Sequence, residues 1–177
     1  EVYNPEALIT GANFLISNTG SIVFTENEGN ILKSTSFAPI HIIVAGIDKM
    51  ITSIDELSVL LPLSSLYDNN KNISSLYSII NSPSSNEDKV QNLYLILLNN
   101  NRTNILSKEK QRNILSCIQC GACLEVCPIY NVIGGHTYKE YNPGPVGSIS
   151  LPMLKNIEET SHFCSLCTLC CRCSEIC

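Results

Sequence analysis

Ten cysteines crowd into the segment Cys117–Cys177, and the 116 residues before them contain none. A disulfide framework spreads its staples through a small secreted domain. This asymmetry instead predicts an ordinary folded domain followed by a metal-binding module, in a reducing, cytoplasmic compartment. The cysteines form two runs. The first is Cys117-Ile-Gln-Cys120-Gly-Ala-Cys123-Leu-Glu-Val-Cys127-Pro128, the C-x₂-C-x₂-C-x₃-C-P spacing of bacterial ferredoxins. Three thiolates, each separated from the next by two residues, wrap one side of a cubane. Gly121 permits the tight turn, and Pro128 fixes φ where the fourth Cys is carried away. A zinc knot is the competing reading. Zinc sites usually present two CxxC pairs far apart, which four thiolates packed this closely do not match.

The second run holds six cysteines: Cys164, Cys167, Cys170, Cys171, Cys173 and Cys177. Started at Cys164, the ferredoxin spacing would place its last ligand at Ser174. Started at Cys167, it is met in full by Cys167, Cys170, Cys173 and Cys177, leaving Cys164 and Cys171 as surplus thiols. Cys171 stands where the first run has Gly121, which predicts a less relaxed turn. In two-cluster ferredoxins the fourth Cys of each run ligates the other cluster. Two [4Fe–4S] clusters are therefore expected, one on Cys117, Cys120, Cys123 and Cys177, the other on Cys167, Cys170, Cys173 and Cys127. With all irons ligated, the use is movement of single electrons rather than substrate chemistry at iron. The roughly 40 residues between the runs suit helical two-cluster modules.

Composition limits the alternatives. The chain has 177 residues and a mass of 19.4 kDa, room for one full domain or two small ones. Hydrophobic residues make up 44% and charged residues 15%, a globular balance. The net charge is −5 with 11 Lys and Arg and no basic block, which argues against nucleic acid as a partner. The apolar runs near Ile40–Ile47 and Leu93–Leu98 are far short of the ~18–20 residues of a membrane span, and no secretory signal is visible. The absence of an initiator Met and the final Cys suggest a piece of a longer protein.

The first part reads as an α/β domain. Asn13–Ile16 and Ile22–Thr25 flank a Ser17–Gly20 turn, a β-hairpin pattern, and Glu26–Asn30 is the next turn. Ile40–Ala45 is a near-continuous apolar strand of the parallel, two-face-buried kind. Ser53 and Glu56 have capping-box spacing for a helix that Pro62 is expected to stop. Asn81–Asn86 reads as a loop and Leu93–Leu98 as a strand. Ser107 is the expected N-cap of a helix over 108–116, residues 134–152 read as irregular because of their Gly and Pro, and a short helix is expected over 153–160. His41 reads as a core histidine, His136 as a hydrogen-bonding group near the first cluster, and His162 as a poor substitute for a thiolate. Glu26 and Glu28 could bind a substrate or cation, with a solvated turn as the simpler reading.

Three stretches together resemble the lactate-utilisation iron–sulfur protein family (LutB- or YkgF-like). They are Gly11–Asn30, ending in NEGN; Pro39–Lys49, with HIIVAGIDK; and Cys117–Cys127 followed by Gly134-Gly135-His136 and Pro143-Gly144-Pro145-Val146-Gly147-Ser148. The resemblance implies the C-terminal part of a LUD-type α/β domain over 1–106, followed by a helical two-[4Fe–4S] ferredoxin domain over 107–177. It implies electron relay in a multi-subunit complex that oxidises L-lactate to pyruvate, with a CCG-type cysteine-rich subunit and a second LUD-domain subunit as partners. Any association with the inner membrane would be peripheral, through those partners. The family's N-terminal region, the Pro expected after Cys177 and the Gly expected at Cys171 are not in this sequence. Two other functions compete: an iron–sulfur subunit of another respiratory or heterodisulfide-type oxidoreductase, against which the NEGN and HIIVAGIDK stretches speak, and a zinc-stabilised interaction module.

Overall fold

Alternation and β-branching in the first half of the chain produce two small sheets. A computed structural model describes residues 5–68, 76–83 and 90–177. Its contacts divide the chain into Glu1–Asn99 and Asn100–Cys177. In the first unit, β1 (Ala7–Gly11), β2 (Phe14–Ile16) and β3 (Ser21–Glu26) precede a short helix α1 (Asn30–Thr35). Then come β4 (Ile40–Gly46), β5 (Met50–Ile51), α2 (Leu57–Asp68), β6 (Leu76–Ile80) and β7 (Asn92–Leu98). One sheet is parallel, in the order β1-β4-β7, with Ile42 opposite Ile9 on one side and Tyr94 on the other. The second, ordered β5-β2-β3-β6, contains the expected hairpin, with Phe14 opposite Val23.

The core of this unit lies among Leu15, Ile22, Phe24, Ile43 and Ala45, with Ile80 and Leu93 packed against it. Each such side chain contributes about 1.5–3 kcal/mol on full burial. His41 is fully buried with them, stacked on Phe24 at 5.9 Å, and its Nε2 is 2.7 Å from the Thr10 hydroxyl. Glu26 is buried too. Its carboxylate accepts the Ile31 and Leu32 amides at 2.7 and 3.1 Å and the Ser78 hydroxyl at 3.1 Å. It therefore caps α1, whose N-cap Gly29 (φ 68°) has no side chain to do so. That role accounts for Glu26, whereas Glu28 is exposed.

Pro62 does not stop its helix. The capping box at Ser53 and Glu56 is present, and α2 continues through Pro62 to Asp68. Pro62 removes the amide that would bond the Ser58 carbonyl, but both residues are on the exposed side, where water can satisfy that carbonyl. Of the loop expected over 81–86, residues 81–83 are in neither helix nor strand, and residues 84–86 lie outside the described residues.

The second unit is built from short helices. Asn100 and Asn101 turn with φ of 36° and 66° into α3 (Arg102–Leu106). Ser107 ends this helix rather than capping another, its hydroxyl donating to the Asn104 carbonyl at 2.8 Å. The helix expected over 108–116 reduces to a 3-10 turn, Arg112–Ser116. There follow α4 (Ala122–Glu125), α5 (Pro128–Ile133), α6 (Gly144–Leu154), α7 (Ile157–Thr160) and α8 (Arg172–Ile176). The presence of α6 corrects the irregular reading of 134–152. Pro145 falls in the first turn, where no amide partner is needed. Gly147 lets α6 approach the preceding chain: a Cβ there would overlap the Asn142 carbonyl. Tyr138, Leu151 and Phe163 form the buried centre, with Tyr130, Ile133 and Leu166 around it. No helix among the described residues is long and apolar enough to cross a membrane.

Candidate metal centre

The two cysteine runs adopt the same backbone path. A 3-10 turn, Arg112–Ser116, delivers Cys117 in extended conformation; a second, Ser161–Leu166, delivers Cys167 likewise. Two residues later the chain turns left-handed, at Gln119 (φ 61°) and at Leu169 (φ 56°). It does so again at Gly121 (φ 84°) and at Cys171 (φ 62°), and each of these begins a helix, α4 or α8. The third Cys of each run, Cys123 and Cys173, sits in that helix. The repetition starts at Cys167; Cys164 lies in the preceding 3-10 turn. Three of the four left-handed residues carry a Cβ, at about 1–2 kcal/mol each. That strain, repeated in register, indicates a path set by something other than local preference.

Backbone amides converge on the sulfurs. The Tyr130 amide donates to Cys127 Sγ at 3.5 Å, and the Leu169 amide to Cys167 Sγ at 3.4 Å. The Arg172 amide, and then the Thr168 hydroxyl, hold the exposed Cys170 thiol below its usual range. Burial pushes Cys123 up, opposed by the Val146 amide and reinforced by the neighbouring Cys117 and Cys120. Burial also pushes Cys173 up, and there the neighbouring sulfurs are Cys167, Cys170 and Cys127. Cys127, from the first run, is thus near enough to Cys173, from the second, for its charge to be felt there. Cys177 follows α8, which packs on α4, and is exposed. Among the described residues, no three His, Cys, Asp or Glu side chains gather closely enough to be grouped around one ion.

The donor set fits iron–sulfur clusters. Thiolates are the required ligands, and left-handed turns that expose successive amides form anionic-sulfur cradles. Tyr138 adds an unsatisfied donor. Its side chain is fully buried, its hydroxyl has no hydrogen-bond partner, and the Cys127 and Cys167 sulfurs are near enough to disfavour its ionisation, after the larger effect of burial. An orphaned buried hydroxyl costs about 1–3 kcal/mol. Sequence inspection alone passed over this residue, since an aromatic three positions after a Gly-Gly pair carries no motif.

The remaining histidines are not drawn into the cysteine groups. His162 donates from Nε2 to the Tyr138 carbonyl at 3.2 Å and packs on Phe163 at 4.7 Å. His136 lines an open cleft of about 580 Å³ with Tyr130, Lys139, Glu140 and Tyr141. Glu140 is paired with Lys155 at 2.7 Å.

Comparison with known proteins accords with this arrangement. The LUD domain family matches residues 3–103, and the 4Fe-4S dicluster domain matches residues 113–177. "Lactate utilization protein B" of Bacillus pumilus is 35% identical over 170 residues, covering 96% of this chain and 36% of that protein. Its namesake in Shouchella clausii is 32% identical over 179 residues, covering 100% and 38%. The "Uncharacterized electron transport protein YkgF" of Escherichia coli is 34% identical over 167 residues, covering 92% and 35%. The chain thus spans a little over a third of the length of these relatives. The cysteine-free α/β half and the repeated sulfur-cradling turns have a common explanation: the chain belongs to the LUD domain family, and its C-terminal part is an iron–sulfur domain of the 4Fe-4S dicluster type.

Proposed function

We propose that this chain is the electron-transferring part of a protein that serves the oxidation of L-lactate to pyruvate, and that it holds two [4Fe–4S] clusters. One would rest on Cys117, Cys120, Cys123 and Cys177, the other on Cys167, Cys170, Cys173 and Cys127. When bound, such clusters accept and release single electrons. The observation that carries the reading is the backbone path that both runs share, with α8 of the second run packed on α4 of the first. The chain's own contribution is to hold the sulfurs, to point the Tyr130, Leu169, Arg172 and Val146 amides at them, and to shield Cys123 and Cys173 from water. Amide donation stabilises negative charge on sulfur, and so favours uptake of an electron.

The lactate assignment draws on the names of the relatives; a complex with a CCG-type cysteine-rich subunit and a second LUD-domain subunit is what the sequence resemblance implies. The functional boundary between the α/β and cluster parts would fall near residue 107, ahead of the turn that delivers Cys117. Any contact with the inner membrane would be peripheral, through those partners. Anaerobic iron and sulfide analysis tests the cofactor reading: about eight irons per chain and a brown, reducible EPR-active protein are expected. A colourless protein with stoichiometric zinc would replace it with a zinc-stabilised interaction module. Deletion of the gene in a strain with no other lactate dehydrogenase should abolish growth on L-lactate; unaffected growth would leave an iron–sulfur subunit of a different oxidoreductase.

A further inference from the structure

Tyr138 is at the centre of the cysteine-rich unit, with no solvent exposure and its hydroxyl unpartnered. Its ring packs against Phe163 at 5.4 Å and Tyr130 at 6.2 Å. Its backbone is held by His162, which donates to its carbonyl at 3.2 Å. Phe163 beside it buries a ring with no polar atom, whereas the phenol at 138 buries a hydroxyl without a partner, which packing alone does not favour. Each neighbouring ring leads to one run: the Tyr130 amide donates to Cys127 Sγ at 3.5 Å, and Phe163 lies in the 3-10 turn that delivers Cys167; the charges of those two sulfurs bear on the phenol. A phenol O–H is a donor, and thiolate or sulfide sulfur held on iron is an acceptor. Those two sulfurs belong to one cluster only if ligation crosses between the runs, so this inference rests on that reading.

We propose that the Tyr138 hydroxyl donates a hydrogen bond to the cluster framed by Cys127, Cys167, Cys170 and Cys173, and raises the potential of that cluster selectively. A donor to cluster sulfur stabilises the reduced state, which carries one more negative charge. Tyr138 is thus a tuning residue, not a ligand.

The test uses the full chain, loaded anaerobically, with the Tyr138→Phe variant titrated potentiometrically and followed by EPR. Iron content should stay at the wild-type level. The midpoint of one cluster, the one whose signal Cys127→Ser abolishes, should move to a more negative value, and the other should not move. The Phe163→Leu variant disturbs the same packing and should not reproduce that selective shift. A site-specific 3-fluorotyrosine at position 138 is a stronger donor and should move the same midpoint upward; it decides the matter alone if Tyr138→Phe fails to load iron. Two loaded clusters with unchanged midpoints, a shift confined to the other cluster, or an equal shift in Phe163→Leu would overturn the proposal. Wild-type protein without two clusters would instead overturn the ligation reading beneath it.

Discussion

The two cysteine runs share one backbone path but not one environment. In the first, all four cysteines are half-buried, Gly121 takes the second left-handed position, and α6 packs on α4 so that the Val146 amide reaches Cys123. In the second, Cys167, Cys170 and Cys177 are exposed and only Cys173 is half-buried. A side chain, Cys171, occupies the left-handed position that glycine holds in the first run. The same sulfur cradle is therefore built once from a residue that adopts it freely and once from a residue that must be held there. The difference teaches that spacing defines such a motif, while the surrounding helices set its stability and its exposure to solvent.

The largest expected effect breaks the comparison outright. Cys127→Ser and Cys167→Ser sit in different runs, yet each should remove the same EPR signal and lower iron from about eight to about four per chain. Loss of different signals would return each run to its own cluster. Cys164→Ser should retain full iron. Next, Gly147→Ala drives a methyl into the Asn142 carbonyl and should cost about 2–3 kcal/mol in denaturant unfolding of the loaded protein. It should weaken the first-run cluster more than the second, because α6 covers α4.

A reciprocal pair sharpens the contrast at smaller scale. Gly121→Ala should destabilise by about 1–2 kcal/mol, the cost of a Cβ at φ 84°. Cys171→Gly should instead be neutral or stabilise by up to about 1 kcal/mol, because relief of strain is offset by the freedom glycine gains when unfolded. Equal and opposite changes in the two runs would mean that their surroundings do not matter.

The cysteine-free half supplies a control in which no sulfur is involved. Burial holds the His41 imidazole below its usual value of 6.5, so the unfolded chain takes up a proton more readily than the folded one. The stability this contributes is complete above 6.5 and is lost as pH falls below it. Acidification from about pH 7 to about pH 5 should therefore destabilise the wild-type α/β half more steeply than a His41→Gln variant, as read from urea midpoints at each pH.

Legibility differed between the halves for physical reasons. The hairpin, strand β4, the capping box at Ser53 and the strand over 92–98 depend on periodicity and local hydrogen bonding, and all were readable. Pro62 and α6 were misread because proline and glycine carry opposite meanings on exposed faces, in first turns and at close approaches, and only the packing distinguishes these. Glu26 looked like a solvated turn residue because the amides it caps belong to a helix too short to announce itself. Tyr138 was invisible because its significance depends on being buried, hydroxyl unpartnered, between rings from two other segments, Tyr130 and Phe163.

Sequence alone determined the chemistry here. Thiolate spacing is a local property of the chain, and the spacing of Cys117 to Cys127, met again from Cys167 to Cys177, specifies what kind of ion cluster can be held. Tertiary structure alone decided which sulfurs are shielded from water and which buried hydroxyl is left without a partner. Those outcomes depend on how α4, α6 and the 3-10 turns pack, and packing is a contest among many weak contacts that no short stretch of sequence contains.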